Sequence, residues 1–277
     1  MRDNYDALKT EGRNPRTLGI DKMSSLEIVK TINDEYRSVE DAVDGAAPEI
    51  AKALDIIADA MMHGHHLIYV GAGTSGRLGV VDASECPPTF GVDPFLVRGV
   101  IAGGRDAMFR SSEGTEDSEE QGARAIENEN IEAGDVVVGL SASGRAPFVI
   151  GALKKAAGLG AIPVGVNCNP GSLMENVCSV TISAYVGPEV ISGSTRMKAG
   201  SAQKLILNIL STGAMIKTGR VRSNLMINVR PSNEKLKERA VRIIMELSDC
   251  DRASAESALK DGGDVPAALC ILEKAGR

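Results

Sequence analysis

Three short stretches of the chain combine glycine, hydroxyl side chains and an arginine. They are "GAGTSGR" (71–77), "LSASGR" (140–145) and "SGSTRMKAG" (192–200). A glycine-rich turn at the start of a helix presents backbone N–H groups, and serine or threonine hydroxyls add further donors, so it can hold a phosphate dianion with few charged contacts. Three such turns meeting in one crevice predict a site for a small phosphorylated molecule.

A competing interpretation is that each stretch is a strand-to-helix turn whose serine only caps the helix. The arginines likewise have a second interpretation, because arginines beside such turns often form structural ion pairs. The repetition of the same chemistry three times favours a site. The candidate ligand-binding residues are Gly73, Thr74, Ser75, Arg77, Ser141, Ser143, Arg145, Ser192, Ser194, Thr195 and Lys198, with Arg196 close by.

Gly71, Gly73 and Gly76 also match the G-x-G-x-x-G pattern of dinucleotide-binding folds. That pattern requires an acid near the end of the second strand to bind the ribose hydroxyls. Here the second strand runs into "IAGGRDAM" (101–108), which places glycines at the strand end. The fingerprint is therefore incomplete, and a phosphorylated small molecule is favoured over a nicotinamide or flavin cofactor.

Two groups of acids follow these turns. Glu85 lies just before Pro87 and Pro88, which are expected to end a short helix and to fix the direction of the carboxylate. A second acidic segment, "SSEGTEDSEEQG" (111–122), follows the second strand, and most of it is expected to be a solvated helix start. Its acids are Glu113, Glu116, Asp117, Glu119 and Glu120.

Short apolar runs along the chain indicate the elements that position these residues. Continuous apolar strands that alternate with helical segments, such as 146–158, predict an α/β fold with an open parallel sheet and helices on both faces. Ligands of such folds bind at the carboxyl ends of the strands. The predicted strands are 67–70, 96–101, 136–140, 162–166 and 177–182.

The helical spacing of apolar residues predicts further elements at both ends of the chain. After an irregular arm over residues 1–22, two helices are expected before the sheet, with a break near Gly45 and Pro48. A long helix is expected from about 197 to 217. Three shorter helices fit 232–248, 251–261 and 265–274.

The composition excludes several classes of protein. The chain has 277 residues, 43% of them hydrophobic, and a net charge of −6 without a basic block, so a nucleic-acid partner is not expected. Apolar runs are too short for a membrane span and the first residues too polar for a secretory signal, which predicts a cytoplasmic protein without a membrane partner. The five cysteines form no C-x-x-C pair, and His63, His65 and His66 are better explained as a strand-entry loop than as a metal site.

Longer blocks of the sequence resemble the N-acetylmuramic acid 6-phosphate etherase family, in the same order and at compatible spacing. This family belongs to the sugar isomerase (SIS) domain group. The resemblance implies N-terminal helices over 1–60, an SIS phosphosugar domain over 61–225 and a C-terminal helical subdomain over 226–277. The blocks are "TEGRNPRT", "GAGTSGRLGVVDASECPPTFGV", "IAGG", "SEGTEDS", "SASGRAPFVIGAL", "CNPGS" and "GPEVISGSTRMKAGSAQKLILN".

The resemblance also implies an activity, which is the cleavage of the lactyl ether of N-acetylmuramic acid 6-phosphate during peptidoglycan recycling. Members of the family need no metal or organic cofactor, and they act as homodimers whose sites draw on both subunits. The two functional glutamates of the family fall on Glu85 in "DASECPP" and on Glu116 in "EGTEDS". We expect Glu116 to be the base and Glu85 the acid, although these two roles are open to exchange.

Two other functions stay open at this point. One is a phosphosugar-binding regulator, because the glucokinase regulatory protein shares the SIS domain type, although such regulators carry two SIS domains and a single set of turns is found here. The other is a ketose-aldose sugar-phosphate isomerase, which also needs a carboxylate base. The C-terminal helices resemble a small ubiquitin-associated-type module, and the chain ends at Arg277, somewhat earlier than expected for the family.

Overall fold

The computed structural model describes residues 9–110, 114–228 and 234–275. Its centre is a five-stranded sheet in which every neighbouring pair is parallel. The strands are β1 (Leu67–Gly71), β2 (Val97–Ile101), β3 (Val136–Leu140), β4 (Ile162–Asn167) and β5 (Val180–Ser183). Their order across the sheet is β2-β1-β3-β4-β5. The predicted open α/β fold is confirmed.

Helices precede, connect and follow these strands. The helices are α1 (Ser25–Glu35), α2 (Arg37–Gly45), α3 (Ala47–Met62), α4 (Gly73–Phe90), α5 (Glu119–Glu127), α6 (Pro147–Gly158), α7 (Lys198–Lys217), α8 (Glu234–Ser248), α9 (Arg252–Gly262) and α10 (Val265–Ala275). A short antiparallel hairpin that the sequence did not predict, β6 (Val221–Arg222) and β7 (Leu225–Met226), follows α7. Glu113 and the first residues of the predicted helix 232–248 lie outside the described residues.

The sheet is covered on both faces, so the molecule has three layers. Leu67 and Tyr69 of β1 point into one apolar cluster together with α2, α3, α4 and α7. Ile68 and Val70 point into the opposite cluster, which α5 and α6 cover. Since successive side chains of a strand point to opposite faces, the uninterrupted apolar run of β1 is what a sheet buried on both sides requires.

The C-terminal helices form an apolar cluster of their own. Residues of α8, α9 and α10 pack together, and Leu225, Met226 and Ile227 pack against them from the hairpin side. The division of the chain at residues 60 and 225 stays a prediction. Among the described residues, no helix combines the length and the apolar character that a bilayer crossing requires.

Two predicted helix boundaries are wrong. Three helices precede the sheet instead of two, because the helical path is also interrupted at Tyr36, the single residue between α1 and α2. Helix α4 does not end before Pro87 and Pro88 but continues through them to Phe90. Both prolines lie inside the helix, where each lacks the N–H of one i→i−4 hydrogen bond, and the helix ends only at Gly91, which has a φ of 64°.

Helix α4 starts immediately after β1 because two glycines approach each other there. A Cβ atom on Gly76 would lie 2.6 Å from the carbonyl oxygen of Gly71 and 2.7 Å from Ile101 Cγ1. Either distance is shorter than real Cβ contacts permit. This close approach lets the chain turn from strand to helix within two residues.

We therefore predict that Gly76→Ala destabilises the protein by about 1–3 kcal/mol or more, because the surrounding backbone cannot yield as a flexible side chain would. Gly158→Ala is the matched control, since nothing lies within 4 Å of a Cβ at this position near the end of α6. The control should be neutral or more stable by about 0.5–1 kcal/mol. Denaturant unfolding measures both, and equal stabilities of the two variants would contradict the account.

Candidate active site

A cavity of about 360 Å³ opens at the carboxyl ends of β1 and β3. The helices that follow these neighbouring strands lie on opposite faces of the sheet, α4 on one and α6 on the other. An open parallel sheet leaves a crevice for ligands at such a point. The residues that line the cavity are Glu11, Ala72, Gly73, Thr74, Ser75, Glu116, Asp117, Leu140, Ser141, Ala142, Ser143, Arg145, Ala146, Pro147 and Thr195.

The turn after β1 forms one wall of this cavity. The predicted glycine-rich loop is largely the first turn of α4, and Gly73, Thr74 and Ser75 line the cavity from it. Ala72 is the N-cap residue and makes no side-chain capping hydrogen bond, which leaves the first amide groups of α4 for a ligand. The Ser75 hydroxyl donates to Gln203 Oε1 over 2.7 Å, so its proton points at α7.

The turn after β3 forms the facing wall. Ser141 Oγ accepts a hydrogen bond from the amide of Gly144 at 3.1 Å, and Ser143 Oγ accepts one from the amide of Arg145 at 3.2 Å. The two hydroxyl oxygens lie 3.3 Å apart. The serines therefore organise their own turn, as the capping interpretation expects, and they also line the cavity with hydroxyl protons to donate. Arg145 Nε is buried without a hydrogen-bond partner among the described residues.

The third stretch contributes less than the sequence predicts. Thr195 lines the cavity, whereas Ser194, Arg196 and Lys198, all within the described part of the chain, are not among its lining residues. Ser192 also lies outside the lining, and its hydroxyl donates to the backbone oxygen of Glu11 over 2.9 Å. The three predicted turns therefore do not converge equally, and the first two supply most of the cavity wall.

A buried carboxylate accounts for this difference. Glu189 is fully buried and accepts hydrogen bonds from the amides of Lys198 at 3.0 Å and Ala199 at 2.9 Å, the first two residues of α7. A carboxylate at a helix N-terminus satisfies the same amide groups that a bound anion would take. The start of α7 is therefore occupied by the protein itself.

Lys198 is held in a second buried contact. Its Nζ lies 2.9 Å from Glu35 Oε2, and both side chains are almost completely buried. Burial alone would raise the pKa of Glu35, but hydrogen bonds from Lys198, Arg16 and Asn14 outweigh it and hold that pKa below its usual value. This ion pair does not favour the predicted role of Lys198 as a substrate ligand, which stays a prediction.

Arg77 also lies away from the lining residues. Its Nε donates to the carbonyl oxygen of Met108 at 3.1 Å, and its Nη2 donates to that of Arg110 at 3.0 Å. Arg77 therefore fixes the segment that leads from β2 towards the acidic stretch. The role of Arg77 is therefore structural, although it bonds to carbonyl oxygens and not to the acidic partner that the alternative interpretation expected.

The two candidate glutamates are not in the same place. Glu116 is exposed and lines the cavity, and its backbone oxygen accepts a hydrogen bond from the amide of Phe148 in α6 at 2.9 Å. Glu85 is exposed on α4, about 18 Å along the helix axis from Gly73 at 1.5 Å per residue, and is not a lining residue. One chain therefore brings Glu116, but not Glu85, to the hydroxyl-rich turns.

Sequence reasoning missed Glu11 as a residue of the cavity. The arm that carries it is fixed across the site, because Thr10 and Asn169 bond to each other and Thr17 Oγ1 donates to the carbonyl oxygen of Val190 at 2.8 Å. The arm lacks helical periodicity, so pattern analysis treated it as irregular. The "TEGRNPRT" block, which contains Glu11, was the available signal.

The histidines lie at the other end of the sheet. His66, just before β1, donates its amide to Asp135 Oδ1 at 2.8 Å and has its ring Nδ1 3.0 Å from the same oxygen. Within the described ranges, no three His, Cys, Asp or Glu side chains are placed to hold a metal ion. All five cysteines are free, and burial raises the pKa of Cys86 and Cys168 to about 12.

Lys198→Met should destabilise the protein by about 1.5–3 kcal/mol at neutral pH, because Glu35 loses its buried charged hydrogen-bond donor and keeps only Arg16 as a cation. The folded pKa of Glu35 lies below its unfolded value of 4.5, so this stabilisation is present above pH 4.5 and is lost as the pH falls through the folded value. The difference between wild type and variant should therefore shrink in acid. Lys217→Met, which removes an exposed pair with Asp55, should change stability by about 1 kcal/mol or less.

Unfolding in denaturant at pH 7 and at pH values below 4.5 measures both effects. A Lys198→Met variant as stable as wild type at pH 7 would show that the ion pair does not support the fold. An equal loss at every pH would contradict the role of Glu35.

Known proteins resemble the chain in part and as a whole. A family model, described as the glucokinase regulatory protein N-terminal SIS domain, matches residues 49–157. Among solved structures, a phosphoheptose isomerase from Neisseria gonorrhoeae has a TM-score of 0.50 at 16% identity over 68% of this chain and 96% of its own. A proposed phosphosugar isomerase involved in capsule formation, from Bacteroides fragilis, has a TM-score of 0.53 at 17% identity over 71% and 94%. These two similarities show that the chain shares the fold of those two proteins.

Relatives of much higher identity cover nearly the whole chain. A protein named N-acetylmuramic acid 6-phosphate etherase from Clostridium botulinum (strain Okra / Type B1) is 52% identical over 97% of this chain and 89% of its own length. A protein of the same name from Mesorhizobium japonicum is 49% identical over 98% and 93%. Identity of this extent over both lengths shows that the chain belongs to the N-acetylmuramic acid 6-phosphate etherase family.

Proposed function

We propose that this protein is a lyase that cleaves the D-lactyl ether of N-acetylmuramic acid 6-phosphate and yields N-acetylglucosamine 6-phosphate and D-lactate. Relatives that carry the etherase name at 52% identity over 97% of the chain support this activity. The structural observation that carries the proposal is the cavity between β1 and β3, which combines hydroxyl-rich helix starts with the carboxylate of Glu116.

The start of α4 suits the phosphate group. The N-cap residues of α4 and α6, Ala72 and Ala146, have no side-chain hydrogen bond to the first turn, and both line the cavity. The first amides of α4 are therefore open to an anion, whereas α6 begins with Pro147, which has no N–H, and the Phe148 amide is bonded to the Glu116 backbone oxygen. Hydroxyls from both turns add donors. Arg145 contributes a guanidinium whose buried Nε has no partner among the described residues, and an anion would satisfy it.

The proposed reaction begins with the open-chain sugar. The aldehyde at C1 acidifies the C2 proton, and the lactyl oxygen on C3 is β to that carbonyl. A base removes the C2 proton, the C2–C3 double bond forms, and the C3–O bond breaks with proton transfer to the departing lactate oxygen. Water then adds at C3 while C2 regains a proton, which completes the product. Two carboxylates, one ionised and one protonated, carry these transfers.

Glu116 is proposed as the C2 base, because it is the candidate glutamate that lies beside the phosphate-binding turns. Glu85 is proposed as the acid that protonates lactate and then activates water. Since Glu85 lies far along α4 from the cavity of its own chain, we propose that it acts in the cavity of a second copy. The site is then shared between the two subunits of a homodimer.

The outer face of α4 supports this arrangement. Val81, Ser84, Glu85 and Pro88 are all exposed, and their spacing places them on one side of the helix. The Val81 side chain is 51% exposed in a single chain, although it is apolar. A second subunit packed against this face would cover Val81, and Glu85 would then reach the sugar bound in the cavity of that second subunit.

The alternative functions have weaker support. The match to the glucokinase regulatory protein model spans residues 49–157, whereas the etherase relatives match nearly the whole chain. A ketose-aldose isomerase needs a base but has no leaving group to protonate, so it gives no reason for a second carboxylate. The cytoplasmic location stays a prediction.

Glu116→Gln should lower kcat for lactate release by about 10²–10⁴-fold and remove solvent hydrogen exchange at C2, because the variant lacks the base. Glu85→Gln should lower lactate release by a similar factor and keep C2 exchange, because proton abstraction precedes lactate departure. Lactate is measured enzymatically, and exchange is followed by NMR in D₂O.

Glu120→Gln serves as a control from the same acidic segment, since Glu120 is exposed and pairs with Arg124 on the surface of α5. Its kcat should stay within about twofold of wild type, as expected for an exposed pair. If Glu85→Gln loses exchange and Glu116→Gln retains it, the two roles are exchanged. Lactate release at the wild-type rate by either variant would overturn the two-carboxylate mechanism.

A further inference from the structure

Two hydrogen bonds between side chains join α4 to α7. Ser75 Oγ donates to Gln203 Oε1 at the start of α4, and Asn208 Nδ2 donates to Asp82 Oδ1 two turns later, each over 2.7 Å. Ser75, Gln203 and Asp82 are all buried, with at most 8% of their surface exposed. The proposed chemistry uses neither bond directly, since Gln203, Asp82 and Asn208 are not lining residues of the cavity.

Both bonds bury polar side chains at a cost to the stability of the fold. Gln203 Nε2 is buried and has no hydrogen-bond partner among the described residues. Asp82 Oδ2 is buried without a well-formed hydrogen bond, and the buried hydroxyl of Tyr69 approaches Asp82 and Ser211. A buried polar atom left unpaired costs about 1–3 kcal/mol. Apolar side chains would hold this layer together at lower cost, so packing stability does not explain the polar residues.

Hydrogen bonds are directional, so these two bonds restrain the rotation and the shift of α4 on α7 more tightly than apolar packing does. Gly79 lies between the bonded residues on α4 and presents no side chain to interlock with its neighbours. A Cβ there would lie 2.9 Å from Tyr69 Cβ and 3.1 Å from Leu140 Cδ1. Gly79 therefore lets α4 pack closely on β1 and β3, while the two side-chain hydrogen bonds connect the same helix to α7 before and after this contact.

Each bond lies next to a group that the proposed reaction needs. Ser75 belongs to the first turn of α4, whose amides face the cavity. Asp82 is buried one turn before Glu85, which is exposed on the other side of the same helix. A change in rotation of α4 at Asp82 would therefore move Glu85, and a change at Ser75 would move the phosphate-binding turn.

We propose that Gln203 and the Asp82–Asn208 pair are positioning residues, which hold the two ends of α4 in register on α7. Gln203 places the phosphate-binding turn through Ser75, and Asp82 with Asn208 places Glu85. This inference rests on the proposed function. It separates two effects along one helix, substrate binding at the first bond and lactate departure at the second.

The test uses the full chain, with N-acetylmuramic acid 6-phosphate as substrate. Asn208→Ala should lower kcat for lactate release by about 10–100-fold, since a displacement of about 1 Å has effects of that size, while KM and C2 exchange stay within about twofold. Gln203→Leu should raise KM by about tenfold with little change in kcat, as expected when one hydrogen bond that orders a binding turn is lost.

Conservative and apolar variants separate positioning from folding. Asp82→Asn keeps an acceptor oxygen for Asn208 and should retain near wild-type lactate release. The double variant Asp82→Leu/Asn208→Leu, which removes both partners, should lose lactate release like Asn208→Ala while its thermal midpoint stays the same or rises. Asp55→Ala removes an exposed bond from Lys217 of α7 to α3, and it should leave kcat and KM unchanged.

Three results would overturn the inference alone. They are an equal loss of lactate release and C2 exchange in Asn208→Ala, a fall in thermal midpoint that parallels activity across the variants, and no rescue by Asp82→Asn. A wild-type chain that releases no lactate would overturn the proposed function, and the positioning roles with it. A split of kcat and KM between the two bonds would support the inference.

Discussion

The contact between Gly71 and Gly76 determines where α4 begins, and the rest of the site depends on that starting point. Because no side chain separates these residues, the helix starts two residues after β1 and presents its first amides at the edge of the sheet. The helix that follows β3 leaves on the opposite face, so a second helix start reaches the same crevice. The proposed phosphate site thus rests on the first amides of α4, to which the hydroxyls of both turns and Arg145 would add donors.

The same starting point places Glu85 far from the cavity of its own chain. Twelve residues of a straight helix span about 18 Å, and no rearrangement of side chains closes such a distance between Glu85 and the cavity of its own chain. Either Glu85 has no part in the reaction, or another subunit receives it. The face formed by Val81, Ser84, Glu85 and Pro88 exposes one large apolar side chain, Val81, one turn before Glu85, and a second subunit would cover it.

Much of the fold could be predicted, because buried parallel strands are continuous apolar runs and the loops between them carry glycine and polar residues. The predicted strands agree with β1 to β4 to within one residue at either end. β5 starts three residues later than predicted, because Val177 and Cys178 donate their amides to the carbonyl oxygen of Met174 and so still belong to the turn after Leu173–Asn176. The end of α4 could not be predicted from Pro87 and Pro88, because the helix continues through both despite the donors that they lack, and it ends at the left-handed Gly91. The buried ion pair of Lys198 was also beyond sequence reasoning, since Glu35 lies 163 residues earlier in the chain.

The sharing of one site by two chains is the central claim, and mixing two inactive variants tests it most directly. Equal amounts of Glu85→Gln and Glu116→Gln protein are combined under conditions that allow subunits to exchange. If Glu85 acts in the cavity of its partner, each mixed dimer regains one complete site, and lactate release returns to about one quarter of the wild-type rate when pairing in the two-fold dimer is random. A mixture that stays as inactive as its components, although mixed dimers have formed, would contradict the claim.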